Sequence, residues 1–167
     1  LERKPLEVML AGKEAGQWKK YSTGQVSEIV NNLSAGLLNL GYGPGDETIE
    51  GRDKIAIISK NRPEWIMLDL AVQQTGAILV PVYPTINVNE LEFILKDAGV
   101  KGIFVNDEEQ FLKVLSLKER VPFLKDIFTF EHVPNARFWK EVTDASTTEA
   151  KNKIISIAEK IDPESLA

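Results

Sequence analysis

The sequence contains no cysteine and only one histidine, His132, in 167 residues. The first absence excludes a disulfide scaffold, thiolate metal ligands and a cysteine nucleophile, and it fits a reducing cytoplasm. The second leaves a single imidazole for general-base work. Its neighbours, Glu131 and Val133-Pro134, read as a loop after a strand, and a lone imidazole lacks the supporting groups that catalysis requires. No apolar run approaches the roughly 20 residues needed to span a bilayer. The opening LERKPLEVML has no apolar stretch of signal-peptide length. There is no excess of positive charge either: 20 basic against 25 acidic side chains give net −5, with the signs interspersed. Nucleic acid and an anionic membrane are therefore not the main partners, because phosphate binding needs clustered Lys and Arg. No H-E-x-x-H, G-x-x-x-x-G-K-[ST] or G-x-S-x-G pattern occurs. The residues by themselves show no catalytic set.

What remains is the composition of a globular domain, 43% hydrophobic and 27% charged. A chain of this length can bury roughly 70% of its unfolded surface. Because the first residue is Leu rather than Met, the expectation is that the native N-terminus lies upstream. Helical and extended signals alternate. Ser22 with Gln25 reads as a capping box, followed by Val26, Ile29, Val30, Leu33 and Leu37 on one helix face and Gly41 as a left-handed terminator. Residues 42–53 read as a loop. Ile55 to Ser59 is a strand covered on both faces. Asn61-Arg62-Pro63-Glu64 opens a helix, proline being tolerated in the first turn, and Trp65 to Thr75 continues it.

Ala77 to Tyr83 is a second buried strand, with Pro81 and Pro84 limiting its pairing to one edge. Asn87 caps a helix whose stripe is Leu91, Ile94, Leu95 and Ala98. Gly102 to Val105 is a third strand. Glu108 to Leu117 is a helix with Phe111, Val114 and Leu115 inward. Asp126 to Phe130 is a fourth strand. Phe138 to Val142 is expected as a short helix, and Thr148 to Lys160 as a final one, with Ile154, Ile157, Ala158 and Ile161 on one face and Pro163 after it. Such spacing forces parallel pairing. The expectation is one α/β domain over 1–167, a three-layer sandwich with a mostly parallel sheet of about four strands flanked by helices. Within it, 1–20 is an extension, 21–53 a helix and loop, 54–130 the core strand–helix units, and 131–167 the short helix, final helix and lead-out.

Four features carry candidate chemistry. Gly41-x-Gly43-x-Gly45 has the wrong spacing for a dinucleotide loop and follows a helix instead of a strand, so it reads as a turn. Asp107-Glu108-Glu109 could hold a cation, but it reads better as negative charge at a helix N-terminus, as does Glu64. Trp65 reads as core. The Tyr83-Pro84-Thr85 turn lies at the carboxyl end of a parallel strand, where open α/β sheets bind ligands, although a purely structural turn is the competing reading.

Several stretches resemble the AMP-forming acyl-CoA synthetases of the adenylate-forming superfamily. Tyr21-Ser22-Thr23 and the helix after it are similar to that family's opening YT-x-x-E-L. Leu40-Gly41-Tyr42 through Gly45-Asp46 resembles its L-G-x-x-x-G-D turn, with Glu47 to Arg52 as an apparent insertion. Ser59-Lys60-Asn61-Arg62-Pro63-Glu64-Trp65 resembles the N-R-P-E-W segment of the long-chain fatty acyl-CoA branch. Gly76-Ala77 through Val80-Pro81-Val82-Tyr83-Pro84-Thr85 resembles its G-A-x-x-V-P-x-Y-P-T. Asn89-Glu90-Leu91 to Asp97-Ala98-Gly99 continues the match, and Asp162 to Ala167 resembles the lead into the family's Ser/Thr/Gly-rich phosphate loop.

The resemblance implies part of the large N-terminal domain of a long-chain fatty-acid–CoA ligase, which uses ATP, Mg²⁺ and coenzyme A through an acyl-adenylate. None of the family's catalytic or metal-binding residues maps onto 1–167. The chain alone is therefore expected to be inactive and to bind no cofactor, with Tyr83, Pro84 and Thr85 as its contact on the coenzyme A side of the cleft. The expected partners are fatty acid, ATP, coenzyme A and the remainder of the synthetase. The expected location is the cytoplasm, with peripheral contact at the inner face of the membrane and self-association through an exposed apolar face or sheet edge as further expectations. Two alternatives stay open: an enzyme adenylating another carboxylate (aryl, amino acid, or acyl-AMP for a carrier protein), and a stand-alone α/β binding module.

Overall fold

Short apolar runs become strands buried on both sides because helices cover both faces of the sheet. The computed structural model describes residues 4–14 and 16–159. Its main sheet contains β3 (Lys54–Ile58), β4 (Ile78–Val82), β5 (Gly102–Val105), β6 (Asp126–Thr129) and β7 (Arg137–Phe138), in spatial order β4-β3-β5-β6-β7, every pair parallel. Helices α1 (Thr23–Asn39) and α2 (Pro63–Gln74) pack on one face against Ile55, Ile57, Phe104 and Phe128. Helices α3 (Val88–Asp97) and α4 (Glu108–Leu115) cover the other, against Ala56, Ile58, Ile103 and Val105. The result is the expected three-layer α/β sandwich.

Local sequence accounts for the helix starts. Ser22 accepts from the Gln25 amide at 3.3 Å while the Gln25 side chain takes the Ser22 amide at 2.9 Å, a complete capping box. The Asn87, Asp107 and Thr147 side chains each accept one amide, from Glu90, Gln110 and Ala150, at the starts of α3, α4 and α6 (Thr148–Ala158). Gly41 and Gly76, which follow α1 and α2, have φ of 87° and 75°, where a side chain would be strained.

Pro81 lies on an edge strand, as expected: β4 pairs only with β3 among the described residues. The Ile78 amide donates to Asp53 at 2.8 Å, so alternate amides face β3 and the Pro81 nitrogen falls on the open side, where a missing N–H costs nothing.

The sheet is the expected mostly parallel one, and four local expectations need correction. The sheet has five strands, all parallel, and Phe138 belongs to β7, not to a helix; α5 spans Lys140–Asp144. The Trp139 amide donates to Thr129 at 3.0 Å, Phe138 stacks on His132 at 3.8 Å, and Trp139 is buried against Phe130. These contacts hold the chain alongside β6 before a helix can start.

The proposed N-terminal extension contains a hairpin, β1 (Leu10–Glu14) with β2 (Gln17–Tyr21), turned at Gly16 with φ of 80°. It is mostly exposed, so it lacks the apolar alternation that marks a half-buried strand. Leu115 is 44% exposed, and the buried position beyond the end of α4 is Leu117. Finally, α6 ends at Ala158. Ile154 is buried and Ile157 half-buried, while Ile161, Pro163 and the lead-out from 162 lie outside the described residues.

Two close fits hold the first layer and the amino end of the sheet. At Gly36, α1 meets α5 so tightly that a methyl would overlap the Val142 carbonyl. At the amino ends of the strands, the buried Tyr42 hydroxyl donates to Asp126 at 2.6 Å, and Arg137 pairs with the other oxygen of that carboxylate at 2.5 Å. Burial first, and the Asp126 carboxylate second, hold the Tyr42 phenol well above its usual range.

Gly36→Ala should lose about 3 kcal/mol, as overpacking against backbone does. Gly24→Ala on the same helix, where a methyl would meet only Ser22 Oγ at 3.9 Å, should stay within about 1 kcal/mol of the parent or gain slightly. Urea denaturation compares the two. A raised tyrosine pKa means the folded state holds its proton more tightly. Its contribution is complete below the unfolded value near pH 10 and is lost as pH rises beyond it. Tyr42→Phe should therefore cost about 1 kcal/mol at neutral pH, with the difference shrinking as pH rises above about 10. Denaturation curves across that range provide the check.

Candidate functional site

Strand order reverses at β3. The chain leaves β3 through α2 on one face to reach β4, then returns through α3 on the opposite face to reach β5 on the other side of β3. The segments after β3 and β5 therefore diverge toward opposite layers and open a crevice at the strand carboxyl ends, the general ligand position in open α/β sheets. Residues after β3 (Ser59 to Arg62), after β5 (Asn106, Asp107) and after β6 (Phe130, Glu131) meet there.

Asn106 is the hub, only 7% exposed. Its side-chain oxygen accepts from Ser59 Oγ at 3.0 Å and Arg62 Nη1 at 3.4 Å. Its amide nitrogen donates to Asp107 at 3.0 Å and Glu131 at 3.2 Å. Its backbone N–H donates to Ile58 at 2.9 Å, and its carbonyl accepts from the Glu131 amide at 3.2 Å. One side chain thus ties three strand ends together. Arg62 pairs with Glu64 at 2.9 Å and reaches Glu131 at 3.9 Å, with its guanidinium 5.0 Å above the Phe130 ring.

The hairpin covers one side of this crevice. Gly12 sits so near Pro63 that a Cβ there would come within 2.6 Å of the ring. Lys13, Glu14, Lys19 and Tyr21 complete a hollow of about 260 Å³. Lys19 and Glu14 pair at 2.7 Å. The hydrogen bond between them holds the Glu14 carboxyl below its usual range and raises the Lys19 ammonium, while burial raises the Tyr21 phenol. The crevice carries both signs of charge, with Lys19 paired to Glu14 and Arg62 to Glu64 and Glu131. It can position loops and present polar groups, but it contains no nucleophile paired with a base.

Tyr83, Pro84 and Thr85 lie at the same end of the sheet but outside this hollow, directly after the edge strand. Tyr83 is 84% exposed and Thr85 is exposed. The Tyr83 carbonyl accepts from the Ile86 amide at 3.1 Å, closing a turn. Trp65 packs partly buried against the first core cluster. Glu64 is in the first turn of α2, as expected, and is also nearly buried in its ion pair with Arg62.

Asp107 caps α4, with Glu108 and Glu109 exposed in the first turn, and no group of three His, Asp or Glu suited to a metal ion occurs among the described residues. Gly41 and Gly45 are turn residues at the opposite end of the sheet, where the Gly43 amide donates to Asp53 at 2.8 Å. No helix among the described residues is long and apolar enough to cross a membrane.

Sequence reasoning passed over the Asn106–Arg62–Glu131 cluster because its members come from three separate connections. The strand-end rule could have found it, but it requires knowing which helices cross on which face. Removing only the cation should leave Glu64 buried and unpaired: Arg62→Met is expected to cost roughly 2–4 kcal/mol, and Arg62→Met with Glu64→Met to recover most of it. Urea denaturation of the single and double variants measures this.

The chain resembles known proteins across most of its length. The long-chain-fatty-acid–CoA ligase FadD15 of Mycobacterium bovis is 26% identical over 112 residues, 67% of this chain and 18% of that protein. The long-chain-fatty-acid–CoA ligase ACSBG2 of Xenopus laevis is 27% identical over 139 residues, 80% of this chain and 18% of that one. The medium-chain acyl-CoA ligase ACSF2 of Rattus norvegicus is 35% identical over 84 residues, 50% of this chain and 12% of the relative. The chain thus spans about a fifth or less of these relatives. Among solved structures, the anthranilate CoA ligase AuaEII superposes with a TM-score of 0.67 at 20% identity, over 78% of this chain and 24% of that one. The long-chain-fatty-acid-CoA ligase FadD1 of Archaeoglobus fulgidus gives 0.61 at 21%, over 73% and 22%. These two establish the shared fold, that of part of the large N-terminal domain of such synthetases. The family model for AMP-binding enzymes matches residues 2–167, and the chain belongs to that family.

Proposed function

We propose that this chain is the N-terminal α/β part of an ATP-dependent, AMP-forming ligase that joins long-chain fatty acids to coenzyme A. The observation that carries the reading is the run from Ser59 to Thr85. The two motifs that resemble the long-chain branch, Ser59 to Trp65 and Gly76 to Thr85, both end at the carboxyl side of the sheet, one in the crevice and one beside it. The long-chain relatives support the same substrate class.

In this reaction the fatty carboxylate attacks the α-phosphorus of ATP, releasing diphosphate and forming acyl-adenylate. The thiol of coenzyme A then attacks the acyl carbonyl, and AMP leaves. The first step builds negative charge at phosphorus and needs surrounding cations and N–H donors. The residues described here offer no such set and no cluster for Mg²⁺, so no chemical step is assigned to them. Their part is to form one wall of the cleft, with Tyr83, Pro84 and Thr85 facing the coenzyme A side. The 167-residue chain alone is inactive, and the whole enzyme works in the cytoplasm. The medium-chain relative, the most identical of the three over its shorter match, favours a second reading with a shorter acyl chain.

ATP–diphosphate exchange by the full-length enzyme tests both. Exchange driven by a C16 acid and not by C8, with acyl-CoA formed on adding coenzyme A, is the expected result. Preference for C8 selects the second reading. Exchange only with aryl or amino acids, or transfer only to a carrier protein, would sink the proposal. A saturable rise in Tm of the 167-residue chain with ATP·Mg²⁺ would contradict its inertness.

A further inference from the structure

The Tyr83–Ile86 turn stands at the edge of the sheet, with strand support on one side only among the described residues. Its own closure is one hydrogen bond, from the Ile86 amide to the Tyr83 carbonyl at 3.1 Å. Such a turn would ordinarily sample several shapes. Here two of its carbonyls are held from a different element. Gln110 Nε2 donates to the Pro84 carbonyl at 3.3 Å. Lys113 Nζ reaches the Pro84 and Ile86 carbonyls, each at 3.2 Å. Both side chains come from α4, one turn apart, so a single rigid helix holds both sides of Thr85.

Two details separate this arrangement from ordinary packing. Gln110 is 5% exposed, on the inner face of α4 with Val114, and its Oε1 has no hydrogen-bond partner. A buried acceptor without a donor lowers stability, and an apolar residue of similar length would avoid that. Rotating the amide would set its oxygen against the Pro84 carbonyl, so the turn fixes the orientation in which Oε1 is orphaned. Lys113, for its part, directs its ammonium at two backbone carbonyls. Fold stability alone does not account for this pair of residues.

We propose that Gln110 and Lys113 are positioning residues that lock the Tyr83-Pro84-Thr85 turn in one shape, ready for the coenzyme A contact; this last clause rests on the function proposed above. Locking in advance removes an ordering cost that would otherwise weaken binding.

Amide exchange and thermal unfolding of the 167-residue chain test the lock. In Gln110→Met with Lys113→Met, exchange at the Ile86 amide should quicken by roughly tenfold, the equivalent of a lost charge-assisted hydrogen bond. Exchange at Phe130, whose amide donates to Val105 in the core, and the Tm should hold. Lys113→Arg, which keeps a cationic donor at this position, should leave Ile86 protection at the parent's level in an otherwise unchanged chain. Unchanged Ile86 exchange would overturn the proposal. So would a fall in Tm with parallel loss at Phe130, which would make the two residues merely structural. In the full-length enzyme the double variant should raise KM for coenzyme A more than it lowers kcat. If the turn loosens and that KM stays fixed, the lock stands and the assignment of the turn to coenzyme A falls.

Discussion

Parallel pairing of β3 with a neighbour on each side is the constraint on which the rest of the structure depends. A parallel neighbour requires a crossover, and crossovers keep one hand. Moving first to one side of β3 and then to the other therefore places α2 and α3 on opposite faces. The buried faces of β3, with Ile55 and Ile57 in one core cluster and Ala56 and Ile58 in the other, follow from that. So does the crevice, because chains leaving adjacent strands for opposite layers cannot stay in contact. Asn106 carries the last backbone bonds between these strand ends, to Ile58 and from Glu131, and its side chain bridges the gap beyond them.

The two ends of the sheet are finished differently. At the amino end, the neutral Tyr42 phenol, Asp126 and Arg137 form one cluster, and Asp53 pairs with Lys101. Both are tied to the loop over residues 42–53, through Tyr42 itself and through the Gly43 amide on Asp53. At the carboxyl end Arg62, Glu64, Asn106 and Glu131 are also paired, but they surround a hollow. An aromatic row connects the ends: Phe104 stacks on Phe128 at 4.8 Å and lies 5.8 Å from Phe130, with Arg137 over Phe128 and Arg62 over Phe130. Each arginine lies over a ring of the first core cluster, and each is fixed by a carboxylate. The packing of the first core cluster and the geometry of the crevice thus share residues, and a change at Phe130 would be felt by Arg62.

The strands were legible wherever burial on both faces left a continuous apolar run. Ile55 to Ile58 and Gly102 to Val105 are found within a residue of where the pattern places them, and the caps at Ser22 and Asn87 act as their spacing implies. The hairpin and β7 were not legible, because what holds them is not apolar periodicity. Gly12 against Pro63, the Lys19–Glu14 pair and the Phe138–His132 stack are long-range or specific contacts that a one-dimensional pattern does not carry. The candidate site divides along the same line. Tyr83-Pro84-Thr85 stood out because it follows a strand. Asn106 did not, because its importance comes from Arg62 and Glu131, 44 and 25 residues away.

Pro81 links these themes. Its nitrogen faces the open side of β4, where a further strand would have to pair. Beside it, only the Leu79 amide among the residues of β4 between Ile78 and Val82 points outward, since Ile78, Val80 and Val82 face β3. A neighbour along this edge would gain one donor and meet a ring. The sheet therefore resists extension just before Tyr83, and among the described residues the following turn has no strand neighbour and its aromatic ring lies in solvent. A turn without strand neighbours among the described residues must be held by other groups, and α4 supplies them. The proline that limits the sheet and the side chains that fix the turn are thus complementary: one keeps the position accessible, and the other keeps accessibility from becoming disorder.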